Sequence, residues 1–376
     1  MTARPSLFQR FLLPGFAFKA VVIGGGYATG RELVEFFVPS GPVGGLMGML
    51  LAACLWSLIC ALTFAYARMI GSEDYRSFFK SLLGPFWVIF EVAYIGFLIL
   101  ILSVFGAAAG EIAAAIGLPN LAGTLALAAA IAGFTAFGNR AVEQLFKYVS
   151  YLLYGVYVLL IIIVALRFGD RIGAAFAAAP PGSGWAMGGL TYAGYNIIGA
   201  VVILPVVRHF TSQKDALVAG LLAGPLAILP AILFFICMAA FQAEIADQAL
   251  PSDYLLAQLG LPAFRLLFQL MIFSALLESG AGIVNAVNER LAGLAEQRGR
   301  TFTPAMRLGA SLSLLVIAIF VAGRFGLIAL IAEGYPLLAL TFLILYIAPL
   351  LTLGVWRLGI ARRRSDMDEI PSLTVF

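Results

Sequence analysis

The sequence predicts an all-α polytopic membrane protein of about ten transmembrane helices, a five-plus-five inverted repeat in which helices 1 and 6 are discontinuous. Three observations carry this. Of 376 residues, 62% are apolar and 11% charged, against about 25% charge in soluble domains. The apolar residues fall into about ten stretches long enough to cross some 30 Å of hydrocarbon. Two of these, one opening each half of the chain, break at matching places: Gly24-Gly25-Gly26-Tyr27-Ala28-Thr29-Gly30 and Tyr192-Ala193-Gly194-Tyr195-Asn196.

The first span is expected near Phe16–Phe37. Arg4 and Arg10 precede it, but it contains Lys19 and lacks a small-residue cleavage site, so it reads as a mature helix rather than a signal peptide. The next four are expected near Val43–Ala67, Phe86–Gly110, Leu121–Phe137 and Leu145–Leu166. The sixth, Trp185–Val207, opens the second half. Ala216–Phe241, Ala263–Val287, Arg307–Ala322 and Leu327–Val355 follow, the last long enough to tilt or to run past the membrane surface. Between the seventh and eighth, Gln242–Pro262 carries Glu244, Asp247 and Asp253 and is expected to form short helices outside, as a lid or an ordinary loop.

Charge gives the orientation. With the N-terminus in the cytoplasm, the outside holds only Arg167, Arg171, Arg265 and Arg324, and Arg31 sits within the first span. The rest of the 23 basic residues fall on the cytoplasmic side, as the positive-inside rule requires. This predicts a protein of the cytoplasmic (inner) membrane with both termini inside. Five spans per half is an odd number, so the second half enters the bilayer inverted. The expected units are 1–170 (spans 1 to 5), 171–356 (spans 6 to 10) and a cytoplasmic tail, 357–376. The net charge of +4 is explained by loop cations and calls for no nucleic-acid partner.

Composition excludes several chemistries. Cys54, Cys60 and Cys237 all lie in apolar segments, without disulfide or zinc spacing. His209 is the only histidine, so neither a two-histidine metal motif nor a serine–histidine–aspartate set exists. The sequence predicts no enzyme and no prosthetic group.

The breaks are where chemistry can reside. Unpaired main-chain groups in lipid are costly unless they line a cavity or bind something. Carbonyls near Ile23, Gly24 and Gly25 can hold a small cation; amides around Ala28, Thr29 and Gly30 can hold a carboxylate. The alternative is a glycine-rich packing face. The second break adds Thr191, Tyr192, Tyr195 and Asn196, suited to a small polar-ended solute or else to packing. Gly26, Tyr27, Ala28, Thr29, Gly30, Tyr192, Tyr195 and Asn196 are the expected substrate contacts.

Ionisable residues at membrane depth are functional candidates. Glu278 lies near the centre of the eighth span, with Ser274 one turn away and Ser279 beside it. It can carry a proton, face sodium or a cationic substrate, or bond another helix. Arg31 can pair along its own helix with Glu32 or Glu35, or across an outer vestibule with Glu333 as a gate. Lys19 and Lys147 either snorkel to the cytoplasmic surface or, for Lys147, replace a coupling cation. Glu91 is placed to meet either lysine, and Glu111 closes the third span at the interface.

The run Gly24-Gly25-Gly26-Tyr27-Ala28-Thr29-Gly30-Arg31-Glu32 resembles the first-span signature G-[AG]-G-[FY]-A-[ST]-G-[QR]-E of the YkvI-type membrane proteins. That family is distantly similar to the amino acid–polyamine–organocation and neurotransmitter:sodium symporter superfamily, which shares the leucine-transporter fold. The resemblance implies substrate held between spans 1, 3, 6 and 8. It implies sodium between first-span carbonyls and eighth-span hydroxyls, here Gly24, Ser274 and Ser279. Glu278 in that region leaves sodium or proton open. Arg31 and Glu333 look like the outer gate. Many relatives have twelve spans; this chain has ten.

The expectation is a secondary active transporter: symport of an amino acid or related zwitterion or amine, coupled to sodium or proton. Spans 1, 2, 6 and 7 would rock against spans 3, 4, 8 and 9. A passive channel or facilitator built on the same breaks is the alternative.

Overall fold

A computed structural model describes residues 5–23, 25–136, 139–178, 180 and 182–368. Gly24 and the side chains of Lys147 and of Arg362, Arg363 and Arg364 lie outside the described residues. All regular structure among the described residues is helical.

Span 1 is assembled from Leu13–Val22, the single turn Gly25–Ala28 and Arg31–Phe37. Span 2 is Gly41–Ile70, span 3 Trp87–Ala115 and span 4 Asn120–Ala136. Span 5 is Asn139–Ala177, kinked at Phe168 (φ −126°, ψ 15°), where the predicted crossing ends. Span 6 is Trp185–Asn196, then Gly199–Val202, then a 3-10 stretch, Leu204–His209. Span 7 is Gln213–Met238 and span 8 Pro262–Gln297. The helical run from Pro304 to Ala361 is 58 residues long. At about 1.5 Å per residue it is more than twice the hydrocarbon thickness, so it must cross twice. Gly326, at φ 74°, makes the reversal between span 9 and span 10.

One short helix between spans 2 and 3 was not anticipated. Tyr75–Leu83 is capped by Asp74, which accepts from the Arg76 and Ser77 amides at 2.9 Å. It buries Phe78, Phe79 and Leu82, while Arg76 and Lys80 lie over the Trp87 ring at 5.4 and 4.9 Å. The apolar i, i+1, i+4 spacing was its signal; its neighbouring charges made it read as loop.

The spans sort into two groups. Span 2 packs along span 7, span 1 against span 7, and span 6 against span 2. Span 3 packs against spans 4 and 9, and span 8 against spans 5, 4 and 3. Glycines allow the closest approach: a Cβ on Gly224 would lie 2.9 Å from the Ser57 amide and against the Ala53 carbonyl of span 2. The N-terminal half of span 1 meets the C-terminal half of span 6 where Phe18 covers Gly199. The C-terminal half of span 1 meets the N-terminal half of span 6 where the Phe36 ring lies 5.9 Å from Tyr195. Head-to-head pairing of broken helices is what an inverted repeat produces.

Candidate functional site

The first break is real and lies where glycine placed it. Ile23 leaves helical geometry at φ −78°, ψ 63°, an inverse γ-turn. Gly30, at φ 81°, restarts the helix in a left-handed conformation that side-chain-bearing residues avoid. Between them Gly26, Tyr27 and Ala28 form part of one isolated turn. Span 8 packs against that turn, and the Tyr157 hydroxyl makes a long contact, 3.5 Å, to the Ala28 carbonyl.

The second break is displaced from its predicted position. Tyr192 to Asn196 are helical, and the regular α-helix gives way to a turn at Ile197 and Ile198, both of which keep right-handed helical dihedrals. Gly194 serves close packing: a Cβ there would sit 2.9 Å from that of Ala339. Asn196 turns its amide back to the Tyr192 carbonyl at 3.1 Å. After the short helix Gly199–Val202 the chain tightens into the 3-10 stretch Leu204–His209, whose first turn holds Pro205, a residue that cannot donate to the helix ladder.

The two breaks converge on a buried aromatic cluster. Tyr27, Tyr192 and Tyr195 are at most 2% exposed. Trp56 of span 2 donates its indole N–H to the Ala193 carbonyl at 3.2 Å, and its ring stacks 5.5 Å from Tyr192. Sequence reasoning missed the centre of this cluster. Glu32 is 5% exposed. It accepts from the Tyr195 hydroxyl at 2.5 Å and, weakly, from the Tyr335 hydroxyl of span 10 at 3.4 Å. The hydroxyls of Tyr27 and Tyr192 are buried without a hydrogen-bond partner, an arrangement that calls for a ligand or water. Glu32 stood beside a nearer-looking cation in sequence, and no local pattern marks Tyr335 as its partner.

Arg31 points away from Glu32. Its guanidinium binds Glu35 at 2.5 Å and the carbonyls of Ala246 and Gln248 at 2.7 and 3.2 Å. The Arg31–Glu333 bridge is not formed: Glu333 is exposed on a π-helical turn of span 10, and Arg31 spends its donors on nearer acceptors.

The segment between spans 7 and 8 covers the first break. It folds into Gln242–Ile245 and Pro251–Gln258, and the Ser252 amide donates to the Thr29 carbonyl at 3.0 Å. Its acids meet the outer arginines. Asp253 takes a fork from Arg265 at 2.7 and 2.6 Å, and Glu244 pairs with Arg171. Arg167 reaches the Leu259 carbonyl. The cover is therefore tied to spans 1, 5 and 8 at once.

In the N-terminal half of span 1, Lys19 is 5% exposed and donates to the Tyr154 hydroxyl of span 5. Glu278 is half-buried near enough to Tyr154 to interact electrostatically. Ser274 donates to the Leu270 carbonyl of its own helix at 2.8 Å, and Ser279 is half-buried beside Glu278. The carbonyl expected from Gly24 lies outside the described residues. Glu91 pairs with Arg290 of span 8, while Lys19 is taken by Tyr154. Glu111 accepts from Asn120 at 3.0 Å across the turn between spans 3 and 4.

Arg10 forks onto Asp215 at 2.8 and 2.7 Å, tying the chain before span 1 to the start of span 7. Thr211 and Ser212 donate their hydroxyls to the same carboxylate at 2.8 and 2.9 Å. Asp215→Asn removes the charged partner of the Arg10 fork, so residues 8–12 are expected to exchange their amides faster in that variant; equal protection in variant and parent would refute this.

No protein-family model matches the chain. It is 23% identical to the membrane protein YkvI of Bacillus subtilis (strain 168) over 335 residues, 86% of this chain and 90% of that one. Three solved structures superpose over most of both chains. MhsT in complex with L-phenylalanine gives TM-score 0.58 at 19% identity, over 85% of this chain and 80% of its own. A substrate-bound, outward-open Na+-coupled sialic acid symporter gives 0.58 at 13%, over 93% and 81%. Mhp1 in its inward-facing conformation gives 0.54 at 15%, over 90% and 75%. The chain has the leucine-transporter fold. Its similarity to YkvI and its first-span signature agree with that fold. Within the leucine-transporter architecture, the two broken spans and their aromatic cluster occupy the centre of the helical assembly.

Proposed function

We propose that the chain is a secondary active transporter working by alternating access, a cation-coupled symporter of an amino acid or related small zwitterion or amine. The observation that carries this is the meeting of two broken helices on a buried cluster holding a carboxylate and two unpartnered hydroxyls. A structural protein gains nothing from such costly burial. The repeats 1–170 and 171–356 supply one break each, and the group of spans 1, 2, 6 and 7 moves against spans 3, 4, 8 and 9. Both termini, and the tail from residue 357, face the cytoplasm of a cell whose inner membrane holds the protein.

Substrate lies against Gly26, Tyr27, Ala28, Thr29 and Gly30 on one side and Tyr192, Tyr195 and Asn196 on the other. The coupling cation, sodium or proton, is held near Glu278, with Ser274, Ser279 and the Gly24 carbonyl as further oxygens. The L-phenylalanine bound by MhsT supports the amino acid class, and the Na+-coupled sialic acid symporter supports cation coupling.

The test is a thermal-shift screen of the purified protein against amino acids, polyamines and nucleobases, in sodium, in potassium and across pH. A stabilising solute is then offered to proteoliposomes carrying a cation gradient. Uphill accumulation is expected; equilibration that never exceeds the outside concentration would make the protein a channel or facilitator. Glu278→Gln is expected to abolish coupled uptake in a protein that still folds, and unchanged transport in that variant would remove Glu278 from the mechanism.

A further inference from the structure

Glu32 carries a charge problem that none of its neighbours solves. Its carboxyl touches the hydroxyls of Tyr195 and Tyr335, whose rings lie 4.2 Å apart. From its own span it is faced by Tyr27; Arg31 and Glu35 neutralise each other and point to the outer cover. Span 6 presents Tyr192 and Tyr195 and span 10 Tyr335, while Tyr157 of span 5 and Cys237 of span 7 lie close to Tyr27 rather than to the carboxyl. No cation contacts Glu32 among the described residues. Burying an ionised carboxylate costs several kcal/mol even after relaxation. One short and one long hydrogen bond from neutral donors offset only part of that.

We infer that Glu32 is a proton-binding site, loaded in the closed state seen here and emptied when the junction of spans 1, 6 and 10 opens to water. Loading forms an O–H bond at Oε1 from a hydronium ion and returns a water. The carboxylate becomes neutral, and the new O–H donates to the Tyr335 hydroxyl, reversing the long contact. Release breaks the same bond and returns the proton to water. Oε1 is the receiving oxygen because Oε2 already holds the short bond from Tyr195. Neutral Glu32 lets the three spans close; ionised Glu32 requires water and holds them apart. The site is separate from Glu278, which lies near Tyr154. Its place in a transport cycle rests on the function proposed above; its protonation does not.

The experiment is infrared difference titration of the full chain in lipid, following the carboxylic-acid C=O stretch. A band present at neutral pH and lost on alkalinisation is expected in the parent, absent from Glu32→Gln and kept in Glu278→Gln. Tyr195→Phe, a milder change, is expected to keep the band and move its frequency, since one hydrogen bond to the carboxyl is gone. A spectrum identical in parent and E32Q would overturn the proposal, as would Tyr195→Phe leaving the band unmoved. In proteoliposomes, E32Q is expected to lose accumulation driven by a pH gradient, by about tenfold or more, equivalent to about 1.4 kcal/mol. Accumulation equal to the parent's would overturn the coupling role. Absence of any transport in the parent would sink the transporter reading and leave the infrared result to be judged by itself.

Discussion

Gly224→Leu is expected to remove the folded protein. Span 7 runs antiparallel to span 2, and at Gly224 the two backbones touch: an added Cβ would lie 2.9 Å from the Ser57 amide and closer still to the Ala53 carbonyl. These are main-chain atoms of a continuous helix, Gly41–Ile70, so no rotamer change makes room. Gly220 meets the Ala61 backbone in the same way one turn earlier, so the helices cannot shift past one another. Overpacking typically costs 1–3 kcal/mol, and here about 3 kcal/mol or more is expected because the obstacle is backbone. The readout is the monodisperse fraction after detergent extraction and its melting temperature, with Gly133→Leu as control, since a Cβ there meets open space. Equal yield and melting temperature for the two variants would show that the contact between spans 2 and 7 does not limit stability.

Arg31→Gln is expected to leave the protein folded and release the outer cover. The guanidinium joins three groups that nothing else joins: Glu35 on its own helix and the carbonyls of Ala246 and Gln248 on the cover. Glutamine offers a single amide with shorter reach, leaving those acceptors short of donors. Hydrogen bonds from charged groups contribute about 1.5–3 kcal/mol each, so amide exchange at Ser252, whose N–H holds the Thr29 carbonyl, is expected to speed up about tenfold or more. Uptake should fall with it, because a cover that does not stay shut cannot isolate solute from the outside. Arg31→Lys keeps the charge without the fork and is expected to fall between. If Ser252 exchange were unaffected in Arg31→Gln, the arginine would not be holding the cover.

Several site features were visible in residue order and several were not. The glycine run from Gly24 to Gly30 marked the first break because only glycine relaxes backbone restrictions that strongly. The same reasoning misplaced the second. Gly194 looked like a helix breaker and is a packing glycine, a distinction that depends on Ala339 lying against it. Arg31 and Glu333 looked like a gate because both stand at the outer ends of spans. Arg31 instead takes the carbonyls of a cover whose docking is set by contacts with spans 1, 5 and 8. Glu278 drew attention as the deepest acid in linear order, whereas the structure buries Glu32 more completely.

The linear chain determined that the fold is a bundle of membrane-spanning helices and where its first span must break. Hydrophobic run length and glycine density are local properties that act through the solvent and the backbone alone. Tertiary structure decided which carboxylate lost its water, which partner each arginine took, and which glycines separate helices rather than interrupt them. Those outcomes depend on the rotation of each helix about its axis and on the helix that faces it, and packing of all the spans together sets both.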